Sequence, residues 1–496
     1  MRIEKLFIDI CRKYPKRVAA IHNEKEITYQ ELLDNACKVS DYIEDYINMK
    51  NQNIGIIFNN QIEFIYSMFG ILISGNIVVP IPHNSTENEI NIIIYNCDVK
   101  LCVADENIKH CIKNIECITW DECYAHINKM SNKSIDCFGV SNEVAFIFST
   151  SGSTGNCKAV QLTHENIIES ATGHSIALGI NENDRFLATM PFHTSHGVAN
   201  VIVACIMSLT IIVIYRVPII PKKMSSTINK YKITIFSSVP TYMALFIKYQ
   251  NGNNDFPSVK TVIISGAKLY ENLYNEIKDV FNNADILHTY GLTEASPRVS
   301  MMTRDSNILS CGKPVRGVEM RIINEDGELA ITDEIGEIQV KGKNVMKGYY
   351  ENDVLTNNTV VHGWLHTGDI GKIDKYGNLH VISRKKNVII NSGQNIYPEE
   401  IEEKLLSCDN VKEALVFGFP DEIYGEIVLA ILSVYDKKTF LNIDKFKFEK
   451  EVPLYKKPKG YLFVDNLPKT ATDKIDRKKS KEKGIELYQI KCKFNN

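Results

Sequence analysis

The chain has 496 residues, 44% of them hydrophobic and 24% charged, which is enough material for one large domain and a smaller one. Its formal net charge of -3 is close to neutral, so overall charge gives no support for nucleic acid or for an anionic membrane surface as a partner. The 13 cysteines are scattered without a CxxC pair, which argues against a zinc site and favours free thiols in a reducing cytosol over a disulfide framework.

Charged residues interrupt the N-terminal segment, which reads MRIEKLFIDICRKYPKR and lacks the apolar core of a signal peptide. Together with the free thiols, this predicts a cytoplasmic protein. Residues 198–215 are almost wholly apolar and approach the length of a membrane span. Asn200, Ser208 and Thr210 interrupt that stretch, so we expect a buried helix that runs into a buried strand, and no membrane span.

Short β-branched runs alternate with helix-like stretches from the N-terminus to about residue 300. One helical pattern covers residues 29–47, where apolar side chains recur at helical spacing. Several of the runs are continuously apolar, as in strands that are buried on both faces. The alternation predicts parallel sheet covered by helices. The candidate strands are residues 53–58, 144–148, 210–215, 233–236, 261–264 and 286–288.

The pattern changes from about residue 310, where short strands separated by turn signals predict a β-rich subdomain. Its candidate strands are residues 318–323, 337–340 and 379–382. A smaller α/β unit follows, with a helix at 398–406, a strand at 413–417 and a basic tail. The predicted fold class is therefore α/β, with a large N-terminal domain of helix-covered sheets (residues 1–385) and a small C-terminal α/β domain (residues 386–496).

Residues 144–158 read VAFIFSTSGSTGNCK, an apolar strand that runs into a loop of Ser, Thr and Gly and ends in a lysine. Glycines let backbone N–H groups face a ligand, hydroxyls add donors, and the lysine adds positive charge, which together suit a polyphosphate. The loop lacks the GxxxxGK[ST] pattern of a P-loop kinase or GTPase. The candidate phosphate-binding residues are Thr150, Ser151, Gly152, Ser153, Thr154, Gly155 and Lys158.

This loop resembles the phosphate loop of the adenylate-forming superfamily, which includes acyl-CoA synthetases, adenylation domains of nonribosomal peptide synthetases and firefly luciferase. Further motifs follow in the family's order, and the resemblance covers essentially the whole chain, closest to the acyl-CoA synthetases. It implies an enzyme that binds ATP and Mg²⁺, forms an acyl-adenylate from a carboxylic acid, and passes the acyl group to a thiol. It also implies that the small C-terminal domain is mobile.

The segment TYGLTE (residues 289–294) places an aromatic ring, a hydroxyl and a carboxylate at the end of a strand, where ligands bind open α/β sheets. It is similar to the family's YGxTE motif. By this resemblance, Tyr290 stacks on adenine, Thr293 contacts the α-phosphate, and Glu294 helps to hold Mg²⁺, which needs few protein carboxylates. The segment SGAK (residues 265–268) resembles the part of the family in which Gly266 and Ala267 lie along adenine and the acyl pocket.

Three later segments resemble the parts of the family that bind ribose and reorient the small domain. WLHTGD (residues 364–369) implies that Asp369 accepts from the ribose hydroxyls, as a carboxylate can from a vicinal diol. SRKK (residues 383–386) implies that Arg384 reaches the ribose or the phosphates and that Lys386 is the hinge. NSGQNIYPEEIE (residues 391–402) implies that Gly393 faces the pantetheine channel.

PKTATDKIDR (residues 468–477) resembles the family's C-terminal catalytic-lysine motif, with Asp473 in place of the usual glycine. The resemblance implies that Lys474 is catalytic. Two anions, a carboxylate and ATP, must meet at the α-phosphate, so catalysis is largely positioning and electrostatic stabilisation. A lysine ammonium is suited to neutralise the charge that gathers there.

PFHTSHG (residues 191–197) resembles the acyl-CoA synthetase form of its segment, in which His193 gates the acyl channel. Relatives that activate amino acids carry Phe-Asp there, and neither Phe192 nor His193 is an aspartate, which disfavours an amino acid substrate. The small-domain segment FGFPDE (residues 417–422) favours CoA as the thiol acceptor. Transfer to the phosphopantetheine of a separate carrier protein remains open, because the two thiols share one arm.

Three readings of the function remain. The first is a CoA ligase for a non-amino carboxylic acid, and the second, also an enzyme, is a stand-alone protein that loads a carrier protein. The third is a non-catalytic relative that only binds nucleotide. The last reading is disfavoured because the whole set of charged residues is present: Lys158, Glu294, Asp369, Arg384 and Lys474.

Overall fold

The structure is a computed structural model that describes residues 1–47, 49–125, 143–151, 157–213, 219–250, 255–303, 306, 309–469 and 475–495. The chain forms two compact units. The first contains Met1–Met320 and Gln339–Thr367, and the second contains Arg321–Ile338 and Gly368–Asn496.

The first unit is built on two sheets, whose strands alternate with helices along the chain. In chain order these strands are β1 (Val18–His22), β2 (Lys25–Thr28), β3 (Asn53–Ile57), β4 (Ile77–Pro80), β5 (Val99–Ala104), β6 (Glu116–Thr119), β7 (Val144–Ser151), β8 (Cys157–Thr163), β9 (Arg185–Ala188), β10 (Thr210–Val213), β11 (Ile235–Ser238), β12 (Thr261–Ile264), β13 (Asp285–Tyr290), β14 (Ser300–Met301) and β15 (Lys313–Pro314). The second of these sheets also contains β18 (Gly348–Tyr349). The other strands in this part of the chain lie outside the two sheets and are β16 (Val318–Ile323), β17 (Gly336–Gly342), β19 (Val360–Val361) and β20 (Trp364–Ile373).

Eleven described helices belong to this first unit: α1 (Ile3–Lys13), α2 (Tyr29–Ile47), α3 (Ile62–Ile73), α4 (Glu87–Asn96), α5 (Trp120–Ala125), α6 (His164–Leu178), α7 (Ser195–Ile206), α8 (Pro221–Tyr231), α9 (Pro240–Gln250), α10 (Glu271–Val280) and α11 (Asp353–Thr359). Local signals in the sequence explain several of their ends. Thr163 caps α6 through a capping box with Asn166, and Gly179 ends that helix at a φ of +61°. Proline is the first residue of α8, where its missing N–H costs no helical hydrogen bond.

The larger sheet of the first unit has nine strands in the order β15-β14-β13-β12-β11-β9-β10-β1-β2, and its strands from β13 to β1 run parallel. The second sheet has seven strands in the order β18-β8-β7-β4-β3-β5-β6 and is parallel from β7 to β6. Parallel strands end at the same edge of a sheet. The segments after β9, β11, β12 and β13, which contain many of the predicted site residues, therefore follow neighbouring strands at one edge.

Phenylalanine rings form the centre of the core beside the nine-stranded sheet. The rings of Phe236, Phe246, Phe256 and Phe281 have centroids 5.1 to 5.9 Å apart, and aliphatic side chains from the sheet and from α8, α9 and α10 surround them. Aromatic pairs at this spacing add to the stabilisation from apolar burial. This packing holds the strands whose ends carry the candidate site.

The second unit contains a separate five-stranded sheet in the order β23-β22-β25-β24, with β26 on β25. Its further strands are β21 (Leu379–Arg384), β22 (Ile389–Asn391), β23 (Gln394–Ile396), β24 (Val411–Asp421), β25 (Gly425–Val434) and β26 (Gly460–Phe463). Its helices are α12 (Pro398–Leu406), α13 (Lys437–Thr439), α14 (Lys445–Glu451) and α15 (Arg477–Asn495).

The predicted α/β class, with a large region of helix-covered sheets and a smaller C-terminal α/β region, is confirmed. The helix at 29–47 and the strand at 261–264 have the predicted bounds. The strand expected at 233–236 begins two residues later, because Lys232 ends α8 with a φ of +49° and Thr234 is held by Arg185 at the entry to the sheet. The domain boundary after residue 385 stays a prediction, since it marks an expected pivot.

The apolar stretch that begins at residue 198 forms a helix followed by a strand, as predicted. Helix α7 ends at Ile206, Ser208 turns the chain with a φ of +55°, and Thr210–Val213 form a buried strand of the nine-stranded sheet. Within the described ranges, no helix is long and apolar enough to cross a membrane.

Candidate active site

The TYGLTE segment leaves the end of β13 and folds back sharply. A Cβ added to Gly291 would lie 1.5 Å from the carbonyl oxygen of Pro297, so this close approach of two backbone segments requires glycine. Tyr290 is buried at the strand end, and Thr293 and Glu294 follow the turn half-buried. Packing thus explains Gly291, and Thr293 and Glu294 are the motif's partly exposed polar side chains.

Thr293 lies against the start of helix α7. The hydroxyls of Thr293 and Ser195 are 3.0 Å apart. Thr194 caps α7 by accepting the N–H of Gly197, which orients the first turn of this helix and the loop that carries His193. Burial, with a smaller contribution from His83, lowers the pKa of His193 to about 4. The imidazole of His193 is therefore neutral near pH 7.

Glu294 and Lys158 meet at one tyrosine. The phenolic hydroxyl of Tyr349 donates to Oε1 of Glu294 at 3.1 Å, and Nζ of Lys158 lies 5.1 Å from the centroid of the Tyr349 ring. Tyr349 is in β18, which pairs with β8 opposite Val160. Because β7 and β8 flank the predicted phosphate loop, this pairing brings the end of the loop and the predicted magnesium ligand together.

Only the two ends of the phosphate loop are described. Thr150 and Ser151 pair with Lys158 and Cys157 across the β7–β8 hairpin, and the hydroxyl of Thr150 donates to the carbonyl oxygen of Lys158. Four predicted loop residues lie outside the described residues, as does the predicted catalytic lysine: Gly152, Ser153, Thr154, Gly155 and Lys474.

The donor set at Glu294 fits a magnesium ion. Within the ranges that the structure describes, no group of three or more His, Cys, Asp and Glu side chains is arranged to hold a metal by itself. Magnesium commonly takes one or two protein carboxylates and fills its other positions with phosphate oxygens and water. A single carboxylate oriented by Tyr349, next to a phosphate loop, has this character.

Gly266 and Ala267 follow the end of β12, which pairs with β13 so that Ile264 is opposite His288. The carbonyl oxygen of Ala267 lies 3.0 Å from Nε2 of His288, which fixes the SGAK segment beside the strand that ends in Tyr290. The structure thus brings Gly266, Ala267 and Tyr290 to adjacent strand ends.

Asp369 and Arg384, both in the second unit, form an ion pair. They are opposite each other in the β20–β21 ladder, and Nε of Arg384 lies 2.5 Å from Oδ1 of Asp369. The carboxylate is buried, while the guanidinium is about half exposed, at 49%. A buried carboxylate held by a more exposed cation is a suitable acceptor for ribose hydroxyls.

Lys386 lies in a short turn that is bracketed by two hydrogen bonds to one glutamate. The hydroxyl of Ser383 and the amide of Asn387 both donate to Glu399, at the first turn of α12. Gly393 is exposed in the turn between β22 and β23, with a φ of +76° and open space around the position of a Cβ. These are the positions that the sequence assigned to the hinge and to the pantetheine channel.

An arginine that sequence reasoning missed lies beside the same strand ends. Arg298 is buried, donates to Oδ1 of Asn200 at 2.7 Å, and has its two terminal nitrogens 2.9 and 3.1 Å from the ring nitrogens of His196. Nδ1 of His196 is also 3.3 Å from the hydroxyl of Ser265, directly after β12. We call Arg298, His196, Asn200 and Ser265 the Arg298 cluster. In the sequence, His196 lies in the PFHTSHG segment and Ser265 in the SGAK segment, but no candidate motif contains Arg298.

Comparison with known proteins gives two family matches that together cover most of the chain. Residues 7–350 match the family described as AMP-binding enzyme, and residues 400–474 match the AMP-binding enzyme C-terminal domain.

Similar proteins are matched over nearly their full length. A 2-succinylbenzoate–CoA ligase from Geobacillus sp. is 30% identical over 476 residues, which are 94% of this chain and 95% of that protein. The o-succinylbenzoate CoA synthetase of Bacillus subtilis in complex with its acyl-adenylate intermediate superposes with a TM-score of 0.86 at 26% identity, covering 95% and 97% of the two chains. The same synthetase with ATP and a magnesium ion gives a TM-score of 0.85, covering 96% and 99%.

Proposed function

The chain belongs to the AMP-binding enzyme family and is an ATP-dependent acid–thiol ligase, and we propose that it converts 2-succinylbenzoate to its CoA thioester through the acyl-adenylate. The family matches confirm the resemblance to the adenylate-forming superfamily. The observation that carries the choice of acid is the similarity, over 94% of the chain, to a protein named for this substrate.

ATP is the nucleotide substrate in this proposal, and its phosphates bind at the β7–β8 hairpin. Lys158 and the loop residues 150–155 contribute positive charge, hydroxyls and backbone N–H groups. Glu294, oriented by Tyr349, would hold Mg²⁺. A bound Mg²⁺ would neutralise part of the phosphate charge and orient the departing pyrophosphate. Further roles follow the sequence motifs: Tyr290, Gly266 and Ala267 contact adenine, and Asp369 and Arg384 contact the ribose.

In the first half-reaction an oxygen of the acid's carboxylate bonds to the α-phosphorus, and the bond from that phosphorus to the pyrophosphate oxygen breaks. Thr293 binds an α-phosphate oxygen, and the ammonium of Lys474 stabilises the negative charge that develops there. The acid has no proton to lose near pH 7, so none of these residues needs to act as a base. Neutral His193 lines the entrance of the acyl channel and adds no positive charge to it.

In the second half-reaction the thiol of CoA attacks the acyl carbon and AMP leaves. We propose that the small domain turns at Lys386 between the half-reactions, which brings Gly393 to the pantetheine channel and removes Lys474. A carrier-protein acceptor has no support from the similar proteins, which are named as CoA ligases. The cytoplasmic location stays a prediction.

The test is pyrophosphate release by purified enzyme with a panel of carboxylic acids, followed by thioester formation with CoA and with a phosphopantetheinylated carrier protein. We expect 2-succinylbenzoate to give the highest kcat/KM and CoA to be the acceptor. A higher kcat/KM with another acid would overturn the proposed substrate, and faster transfer to the carrier protein would overturn the proposed acceptor.

A further inference from the structure

Arg298 is a buried cation that contacts an amide and an imidazole. Its side chain is 3% exposed, and its hydrogen bonds are to the amide oxygen of Asn200 and the imidazole of His196. Among the residues that the structure describes, no carboxylate forms an ion pair with it, and its Nε has no hydrogen-bond partner. Within the described part of the chain, the guanidinium therefore lacks both a counter-charge and a partner for one of its donors.

Such an arrangement is costly in a folded protein. Removing a charged group from water is strongly unfavourable unless an opposite charge or several hydrogen bonds replace the lost hydration. Burial here lowers the pKa of Arg298 to about 9, which still leaves the side chain cationic near pH 7. His174 adds no second positive charge beside Arg298, because burial and the charge of Arg298 lower its pKa and keep it neutral. An anionic ligand would supply the missing partner.

The position of the Arg298 cluster indicates which ligand. His196 connects Arg298 to Ser265, the residue before Gly266 and Ala267 at the end of β12. The residue before His196 is Ser195, whose hydroxyl lies 3.0 Å from that of Thr293. The cluster thus adjoins both the segment assigned to the acyl pocket and the residue assigned to the α-phosphate. An anion bound there would be part of the acid substrate and not of CoA, whose channel is assigned to the second unit.

We propose that Arg298, positioned by His196 and Asn200, binds the second carboxylate of a dicarboxylic acid substrate while the first carboxylate is activated. This inference rests on the proposed function, since it assigns a specificity-determining residue to that acid's second charge. Arginine is suited to the task, because its planar guanidinium can donate two parallel hydrogen bonds to one carboxylate.

The same arrangement would reject acids that carry only one carboxylate. An acid with a neutral tail would cover the guanidinium without giving it a partner, and a site built around buried polar groups rejects a ligand that leaves them unpaired. Selection would therefore come from the loss of a charge pair, and the wild-type enzyme should distinguish two acids of nearly the same shape.

The test compares 2-succinylbenzoate with two analogues that each lack one carboxylate, 4-oxo-4-phenylbutanoate and 2-butanoylbenzoate, in pyrophosphate release. In wild-type enzyme we expect kcat/KM to be at least roughly 100-fold higher for the dicarboxylate than for either analogue. In Arg298→Gln we expect kcat/KM for the dicarboxylate to fall by roughly 100-fold or more, mainly through KM. For whichever analogue the wild-type enzyme converts to an acyl-adenylate, kcat/KM should change by less than about threefold. Arg316→Gln, which removes an exposed arginine, should leave all three values unchanged.

An equal fall for the dicarboxylate and the analogue in Arg298→Gln would show a merely structural role and overturn the inference while leaving the proposed substrate intact. Dependence on Arg298 with a different dicarboxylic acid would instead overturn the proposed substrate and support the inference. If Arg298→Gln does not fold, the inference is tested by comparing kcat/KM for the dicarboxylate and the analogues in wild-type enzyme and in Arg298→Lys. Equal kcat/KM for the dicarboxylate and an analogue in wild-type enzyme would contradict the inference.

Discussion

Tyr349 donates its phenolic hydroxyl to Oε1 of Glu294 at 3.1 Å, and the same ring lies 5.1 Å from Nζ of Lys158. Residues that orient a metal-binding carboxylate typically affect metal affinity or activity by 10- to 100-fold. We therefore expect Tyr349→Phe to raise the KM for ATP-magnesium by about tenfold, with a smaller effect on the KM for the acid. Steady-state pyrophosphate release at varied ATP and magnesium measures both.

Tyr350→Phe is the matched control for this prediction, since it removes the next hydroxyl along the chain, which is not bonded to Glu294. It should leave the KM for ATP-magnesium unchanged. If Tyr349→Phe behaved like this control, Tyr349 would not orient the metal ligand.

Lys474→Ala should separate the two half-reactions. Loss of a group that stabilises charge at the α-phosphate costs about 3 kcal/mol, or roughly 100-fold in the rate of adenylation. Transfer to CoA from supplied acyl-AMP should persist, because Lys474 is proposed to leave the site before that step. Each half-reaction is measured by rapid quench, with the exposed neighbour Lys478→Ala as the control. Equal losses in both half-reactions of a folded variant would refute this division.

His174 should make the protein less stable at mildly acid pH. Its side chain is fully buried, and burial, with the nearby charge of Arg298, holds its pKa well below the usual range. The unfolded chain then binds a proton that the folded chain does not. The contribution of His174 is fully present above about pH 6.5 and is lost as the pH falls below that value, by at most about 1.4 kcal/mol per pH unit.

Urea unfolding of wild type and His174→Gln at pH 7 and pH 5.5 measures this effect as a change in the free energy of unfolding. The variant should lose less stability between the two pH values than wild type loses. His110→Gln, which replaces an exposed histidine, should follow wild type. A variant whose pH dependence also matches wild type would show that His174 takes up its proton in the folded state as well.

The motifs supplied candidates for the chemistry, but they gave no sign of the residues that contact those candidates. Lys158 and Glu294 are recognisable in the sequence because each belongs to a short pattern with a chemical reason. Tyr349 lies 55 residues after Glu294 and reaches it only because β18 pairs with β8, a register set by tertiary packing. No local pattern in the sequence contains this information.

The burial of Arg298 also could not be predicted from the sequence. A single arginine after a strand is ordinarily solvated, so the sequence offered no reason to select it. It is buried where helix α7 supplies two side chains, Asn200 and His196, that contact its guanidinium. Similarly, β11 continues through Ser237 and Ser238, two residues beyond its predicted end, because both residues pair with β12.

The two hydrogen bonds from Ser383 and Asn387 to Glu399 span the residue assigned as the pivot. Any torsional change at Lys386 that separates those donors must first release one of them from the glutamate. If the proposed rotation at Lys386 takes place, the rate at which Glu399 releases its donors, more than the freedom of the backbone, would set how often the enzyme changes state.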